Sequence, residues 1–203
     1  MLQSTKTDVA CIENGLWRVA LPEAQPKLDG RRIEMSFAFE QIAGTKPEFY
    51  RSLDQQLHHL LAGETDWLAN LANAAALLWM QLEEINWAGF YLMKNGQLVL
   101  GPFQGKPACV RIPLGKGVCG TAAAKRETLM VPDVHRFPGH IACDAASRSE
   151  IVVPIVVDQL VVGVLDIDSP ILARFDEEDR TGLEQYVETL KQHIDWSDIL
   201  EHV

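Results

Sequence analysis

The chain has 203 residues, 47% hydrophobic and 23% charged, with a formal charge of −10 and a pI near 5.0. That suits one globular domain plus an extension, with enough apolar material for a core. The acid excess repels phosphate backbones and anionic lipid, so no nucleic acid and no membrane is expected as a partner.

The first residues lack a basic start followed by an apolar run, so no secretory signal is read there. The most apolar stretch, residues 151–165, is broken by Pro154, Asp158 and Gln159 and is too short for a bilayer. A cytoplasmic location is the expectation. There thiols stay reduced, and disulfides are transient and catalytic. This frames the four cysteines, Cys11, Cys109, Cys119 and Cys143.

Residues 1–44 hold scattered Pro, Gly and charge with no clean period, and read as an extension of unassigned role, Cys11 with it. A helix is predicted from Pro47, with Phe49, Leu53, Leu57, Leu60 and Leu61 at helical spacing and Gly63 as its stop. A second begins near Asp66, with a broad stripe of Trp67, Leu68, Leu71, Ala75, Leu78, Trp79 and Leu82. Residues 87–93 and 98–103 then read as strands joined by an Asn95–Gly96 hairpin turn. Residues 108–113 form a short strand. Residues 114–120 form a glycine-rich loop opening onto a helix at 121–125, followed by a strand at 128–131. Residues 151–157 and 160–168 make a hairpin across Asp158–Gln159, and a last helix starts at Asp176. This order predicts an α+β fold, an antiparallel sheet with helices packed mainly on one face.

The chemistry points to residues 132–149, a long connection rich in specific side chains. Cys109, Cys119 and Cys143 are spaced by 10 and 24 residues. Structural zinc sites favour cysteine pairs two to four apart, and none occurs here, so metal is not expected even with His135 and His140 nearby. A redox-active set fits better, although a small core residue is the commoner fate of any one free cysteine. Asp166 and Asp168 share a strand face by alternation, and pairing across the hairpin brings Glu150 beside Asp168. Such carboxylates are costly unless they bind something, which suggests proton handling or cation binding. Loop capping by Asp168 is the plainer alternative. Trp87 and Tyr91, four apart on a strand, are either core or an apolar wall for a ligand methyl group. Gly115–Lys116–Gly117 lacks the phosphate-loop spacing.

These motifs resemble the free methionine-R-sulfoxide reductase family of GAF-domain enzymes. The similarity is carried by residues 86–91 (NWAGFY), 101–105 (GPFQG), 109–113 (CVRIP), 115–121 (GKGVCGT), 139–144 (GHIACD), 149–154 (SEIVVP) and 163–169 (GVLDIDS). It covers about residues 47–195. It implies a GAF-type catalytic domain over residues 45–203 that reduces free L-methionine-(R)-sulfoxide. Cys143 would be the nucleophile, Cys109 the resolving cysteine and Cys119 a supporting thiol. Glu150, Asp166 and Asp168 would surround the substrate, and Trp87 and Tyr91 would meet its methylsulfinyl group. The resemblance further implies recycling by thioredoxin, a homodimer, and no metal or organic cofactor. The rivals are a non-catalytic GAF sensor of a small molecule and a zinc-dependent protein.

Overall fold

The structure, a computed structural model, describes residues 41–141 and 144–203. Cys11, residues 1–40 of the expected extension, and Cys143 lie outside the described residues.

Helix α1 (Lys46–Leu61) opens where Glu48 Oε2 reaches back to the Thr45 backbone N–H at 2.9 Å, with Pro47 in the first turn. Its buried line is Tyr50, Leu53, Leu57 and Leu61, with Phe49 and Leu60 on the flank. Helix α2 (Trp67–Gln81) is capped by Asp66, which accepts from the Ala69 N–H at 2.8 Å. Leu68 and Trp79, expected in its apolar stripe, are exposed. The reason is angular. The buried face centres near Ala74 and Leu78, and at about 100° per residue both fall roughly a quarter-turn or more away from it.

Six strands follow: β1 (Trp87–Lys94), β2 (Gln97–Gly105), β3 (Arg111–Pro113), β4 (Leu129–Val131), β5 (Ser149–Val157) and β6 (Leu160–Ser169). Helix α3 (Gly117–Lys125) lies between β3 and β4, and α4 (Glu177–His193) and the short α5 (Ser197–Leu200) close the chain. Among the described residues every strand pairing is antiparallel, in the order β3-β2-β1-β6-β5-β4. The fold is therefore α+β with an antiparallel sheet, as the element order predicts.

Three local expectations need correction. Cys109, expected on a strand, precedes β3, because the chain only begins to pair at Arg111 opposite Val99. The helix expected at residue 121 starts at Gly117, so Cys119 sits in its first turn and not on a loop. Helix α5 adds an element with no clear sequence period.

Helices α1, α2 and α4 pack on one side of the sheet. Strand alternation sends Phe90, Leu165 and Ile167, all fully buried, to that side. The opposite face carries Trp87, Tyr91, Val152 and Val164, which pack with Val118, Cys119 and Ala122 of α3. The helical side is tied together by Asp179 of α4. Its carboxylate accepts from Tyr50 Oη at 2.8 Å and pairs with Lys46 Nζ at 2.6 Å and Arg174 Nη1 at 3.3 Å. No helix among the described residues is long and apolar enough to cross a membrane.

The α1–α4 contact depends on a missing side chain. A Cβ at Gly182 would sit 2.1 Å from Tyr50 Cγ. Gly182→Ala gains helix propensity of up to about 1 kcal/mol but must displace a buried ring held by Asp179. We expect a net loss of about 1–3 kcal/mol in urea denaturation. A midpoint at or above that of the parent would contradict this packing.

Candidate active site

The hairpin β5–β6 sets the site. Its turn closes with Val157 opposite Leu160, and a bulge between Ile155 and Val156 shifts the register by one. Beyond the bulge Glu150 faces Asp168 and Val152 faces Asp166, the pairing expected from sequence. Strand β1 continues both rows, with Trp87 beside Asp168 and Gly89 beside Asp166. Glu150, Asp166, Asp168, Trp87 and Tyr91 therefore share one sheet face.

The aromatic residues form a stack. Trp87 lies 5.8 Å from Tyr91 with planes inclined by 25°, and 5.3 Å from Phe103 with planes inclined by 13°. Glycine at position 89 permits this. A Cβ there would stand 2.3 Å from Phe103 Cβ and 2.8 Å from the Trp87 ring. The indole N–H donates to the Lys106 carbonyl at 3.1 Å, which fixes the ring.

Opposite the stack, α3 brings Cys119 down onto the carboxylates, its Sγ donating to Glu150 Oε1 at 3.7 Å. Donor atoms of Cys119, Glu150 and Asp166 all lie within 4.8 Å of one another, the one such group of three found among the described residues. A metal cation or an ammonium group would fit that spacing. Asp166 Oδ1 is buried with no hydrogen-bond partner, leaving an acceptor free for such a group. The cavity between these walls is also lined by Lys106, Ala108, His140, Asp144 and Ser147.

Burial raises the pKa of each carboxyl. Glu150 is pushed well up by burial, then by the charges of Asp166 and Asp168. Asp168 is raised by burial, then by Asp166 and Asp144, against a hydrogen bond from Ser147. Asp166 rises to about 6 through burial, moderated by hydrogen bonds from Cys119 and Glu150. The Cys119 thiol is pushed well up by burial and by the same carboxylates, so it stays protonated. His140, with Nε2 3.9 Å from Glu150 Oε2, is lowered by burial and by His135. The cluster thus holds protons near neutral pH that exposed carboxylates would release.

Seven of the eight residues singled out from the sequence are described. Trp87, Tyr91, Cys119, Glu150, Asp166 and Asp168 line this one cavity. Cys109 is partly buried and packs against the same apolar cluster. Sequence reasoning passed over Asn86, Lys106, Asp144 and Ser147. Asp144 accepts from the Ala146 N–H at 2.9 Å, from Asn86 Nδ2 at 3.2 Å and from Lys106 Nζ at 3.2 Å. These contacts hold its carboxyl below the usual range, the backbone N–H first and Lys106 next. Only the position of Asp144 directly after Cys143 could have marked it in advance.

A family model described as GAF domain matches residues 56–194. The free methionine-R-sulfoxide reductase of Escherichia coli (strain K12) is 57% identical over 153 residues, covering 75% of this chain and 93% of that protein. The Saccharomyces cerevisiae protein of the same name is 45% identical, covering 72% of this chain and 86% of that protein. A crystal structure of free methionine-R-sulfoxide reductase from Neisseria meningitidis, in complex with its substrate, superposes with a TM-score of 0.74. It is 48% identical and covers 77% of this chain and 94% of that one.

A carboxyl with a higher pKa in the fold binds more protons in the native state than in the unfolded chain. Stability is then fullest below the unfolded value of 3.8 and falls as pH rises through the folded value, about 6 for Asp166. Asp166→Asn removes that titration and relieves Glu150 and Asp168. Its stability should fall less steeply between pH 4 and 7, by a difference on the order of 3 kcal/mol over the window. Parallel profiles in calorimetric melts would contradict a proton-holding cluster.

Proposed function

Since this chain belongs to the free methionine-R-sulfoxide reductase family of GAF domains, we propose that it reduces free L-methionine-(R)-sulfoxide, with Cys143 as nucleophile. The observation that carries this reading is the convergence of Glu150, Asp166 and Asp168 with the Trp87–Tyr91 stack in one cavity. It supplies anionic acceptors for an ammonium group beside an apolar wall for a methylsulfinyl group.

In the reaction, the substrate ammonium pairs with the carboxylates, with the free Oδ1 of Asp166 available to it. Backbone amides near Cys109 or in the loop of residues 132–149 meet the substrate carboxylate. The Cys143 thiolate attacks the sulfoxide sulfur while a protonated carboxyl gives its proton to the oxygen. Among Glu150, Asp166 and Asp168, those raised most by burial are suited to that donation. The oxygen passes to Cys143, methionine leaves, and Cys143 is left as a sulfenic acid. Cys109 then condenses with it to a disulfide, releasing water, and thioredoxin reduces the disulfide by exchange. Cys119 is not the attacking thiol, because its raised pKa keeps it protonated. It supports the site by holding Glu150. The reaction needs no metal or organic cofactor. We read the protein as a cytoplasmic homodimer.

The test is a stereospecific assay with free, N-acetylated and peptide-bound methionine-R-sulfoxide. We expect turnover of the free amino acid, near-loss when its amino and carboxyl groups are blocked, and none from Cys143→Ser. Asp168→Asn should lose on the order of 10²–10⁴-fold in rate, the range of general acid–base groups, and Glu150→Gln should also be slowed. Comparable rates on all three substrates would contradict recognition of the free ammonium and carboxylate groups. Binding of the free sulfoxide without turnover would identify a sensor instead.

A further inference from the structure

The cavity gathers more than carboxyls. Cys119 comes from the first turn of α3, Glu150 from β5, Asp166 from β6, and His140 from the loop before β5. Donor atoms of Cys119, Glu150 and Asp166 lie within 4.8 Å of one another. The Cys119 sulfur is 3.7 Å from Glu150 Oε1, and His140 Nε2 is 3.9 Å from the other oxygen of that carboxyl. On a tetrahedral zinc with bonds of about 2.1 Å to oxygen and 2.3 Å to sulfur, those two ligands stand about 3.6 Å apart. The separations already present need only a small contraction.

Two further observations point to a ligand. Asp166 is 6% exposed, and its buried Oδ1 has no hydrogen-bond partner. An acceptor left open in this way is suited to a cation. The pKa of His140 is lowered by burial and then by His135, so it offers the neutral imidazole that ligates metals. One sulfur, one nitrogen and carboxylate oxygens suit Zn²⁺, whereas Mg²⁺ and Ca²⁺ take oxygen shells of six or more. The set escapes the cysteine-pair spacing of structural zinc sites because its four residues come from four separate segments.

We propose that Cys119, Glu150, Asp166 and His140 form an inhibitory Zn²⁺ site, in which the metal and the substrate ammonium exclude each other. The exclusion rests on the reductase reading, and the metal site does not. Binding balances in charge and protons. Zn²⁺ enters, the Cys119 thiol proton goes to solvent, and any proton held by Glu150 or Asp166 follows it. The metal brings two positive charges to the buried carboxylates, where an ammonium brings one. It also occupies Asp166 Oδ1, the acceptor that the ammonium would use. Zn²⁺ takes no part in the reduction and holds the enzyme idle.

Co²⁺ replaces Zn²⁺ in such sites and reports thiolate ligation by a near-ultraviolet charge-transfer band. It is added to the reduced, metal-stripped full chain. We expect a saturable band that Zn²⁺ displaces and Mg²⁺ and Ca²⁺ do not. Cys119→Ser should abolish the band, and Asp166→Asn and His140→Gln should each weaken Co²⁺ binding by about tenfold or more. Far-ultraviolet circular dichroism checks that the variants are folded. Absence of the band in the parent, an undiminished band in Cys119→Ser, or parent affinity in Asp166→Asn would overturn the site. Methionine release is then followed in a single turnover without added thiol, at rising concentrations of methionine-R-sulfoxide. Zn²⁺ should slow release at low substrate, and saturating substrate should restore the rate. Slowing that saturating substrate does not relieve would overturn the exclusion. A parent enzyme that forms the band but releases no methionine in the absence of metal would overturn the reductase reading and leave the metal site standing.

Discussion

Three carboxyls buried together cannot all be ionised. Taking a carboxylate out of water is costly, and a second charge nearby adds to the cost. Glu150, Asp166 and Asp168 meet this constraint at one end of the β5–β6 ladder, where burial raises all three. The cluster must keep protons, receive a cation, or both. The features around it follow from that need. Cys119 arrives as a neutral thiol and hydrogen-bonds Glu150 without adding charge. Asp166 keeps one oxygen unpartnered. The aromatic stack beside the cluster on the same sheet face contributes no charge.

The sheet separates stability from chemistry. Its helical side is packed by α1, α2 and α4, and the one deeply buried charge there, Asp179, is fully compensated by Tyr50, Lys46 and Arg174. On the other face, among the described residues, the cation-forming side chain recorded against Glu150, Asp166 and Asp168 is His140, with Nε2 3.9 Å from Glu150 Oε2. A rigid, satisfied core on one side can hold an unsatisfied cluster on the other. This is the expected cost of preorganisation, since groups fixed before the ligand arrives need not reorganise during reaction.

Much of this was legible from local rules. Alternation put Asp166 and Asp168 on one face, and hairpin pairing put Glu150 opposite Asp168. The pairing held for a reason the sequence did not disclose. A two-residue turn at Asp158–Gln159 closes on Val157 and Leu160, one register step away, and the bulge at Ile155–Val156 restores the match. The stack of Phe103 on Trp87 was not legible, because it depends on a register shift between Gly89 and Tyr91. Asn86, Lys106 and Asp144 were passed over for a simpler reason. Each is an ordinary polar residue in sequence, and they meet only when the loop before β5 folds across the end of β1. Cys119 lines the cavity, but in a different local structure from the loop its neighbours suggest. Gly115 and Gly117 suggest a loop, whereas the helix begins at Gly117 itself.

Burial of three carboxyls together implies that this cluster keeps a proton near neutral pH. Infrared difference spectroscopy of the apo protein at pH 7 observes it directly, through the C=O stretch of a protonated carboxyl group. We expect such a band in the parent protein and its loss or shift in Asp166→Asn and Glu150→Gln. A spectrum at pH 7 showing only ionised carboxylates would contradict it.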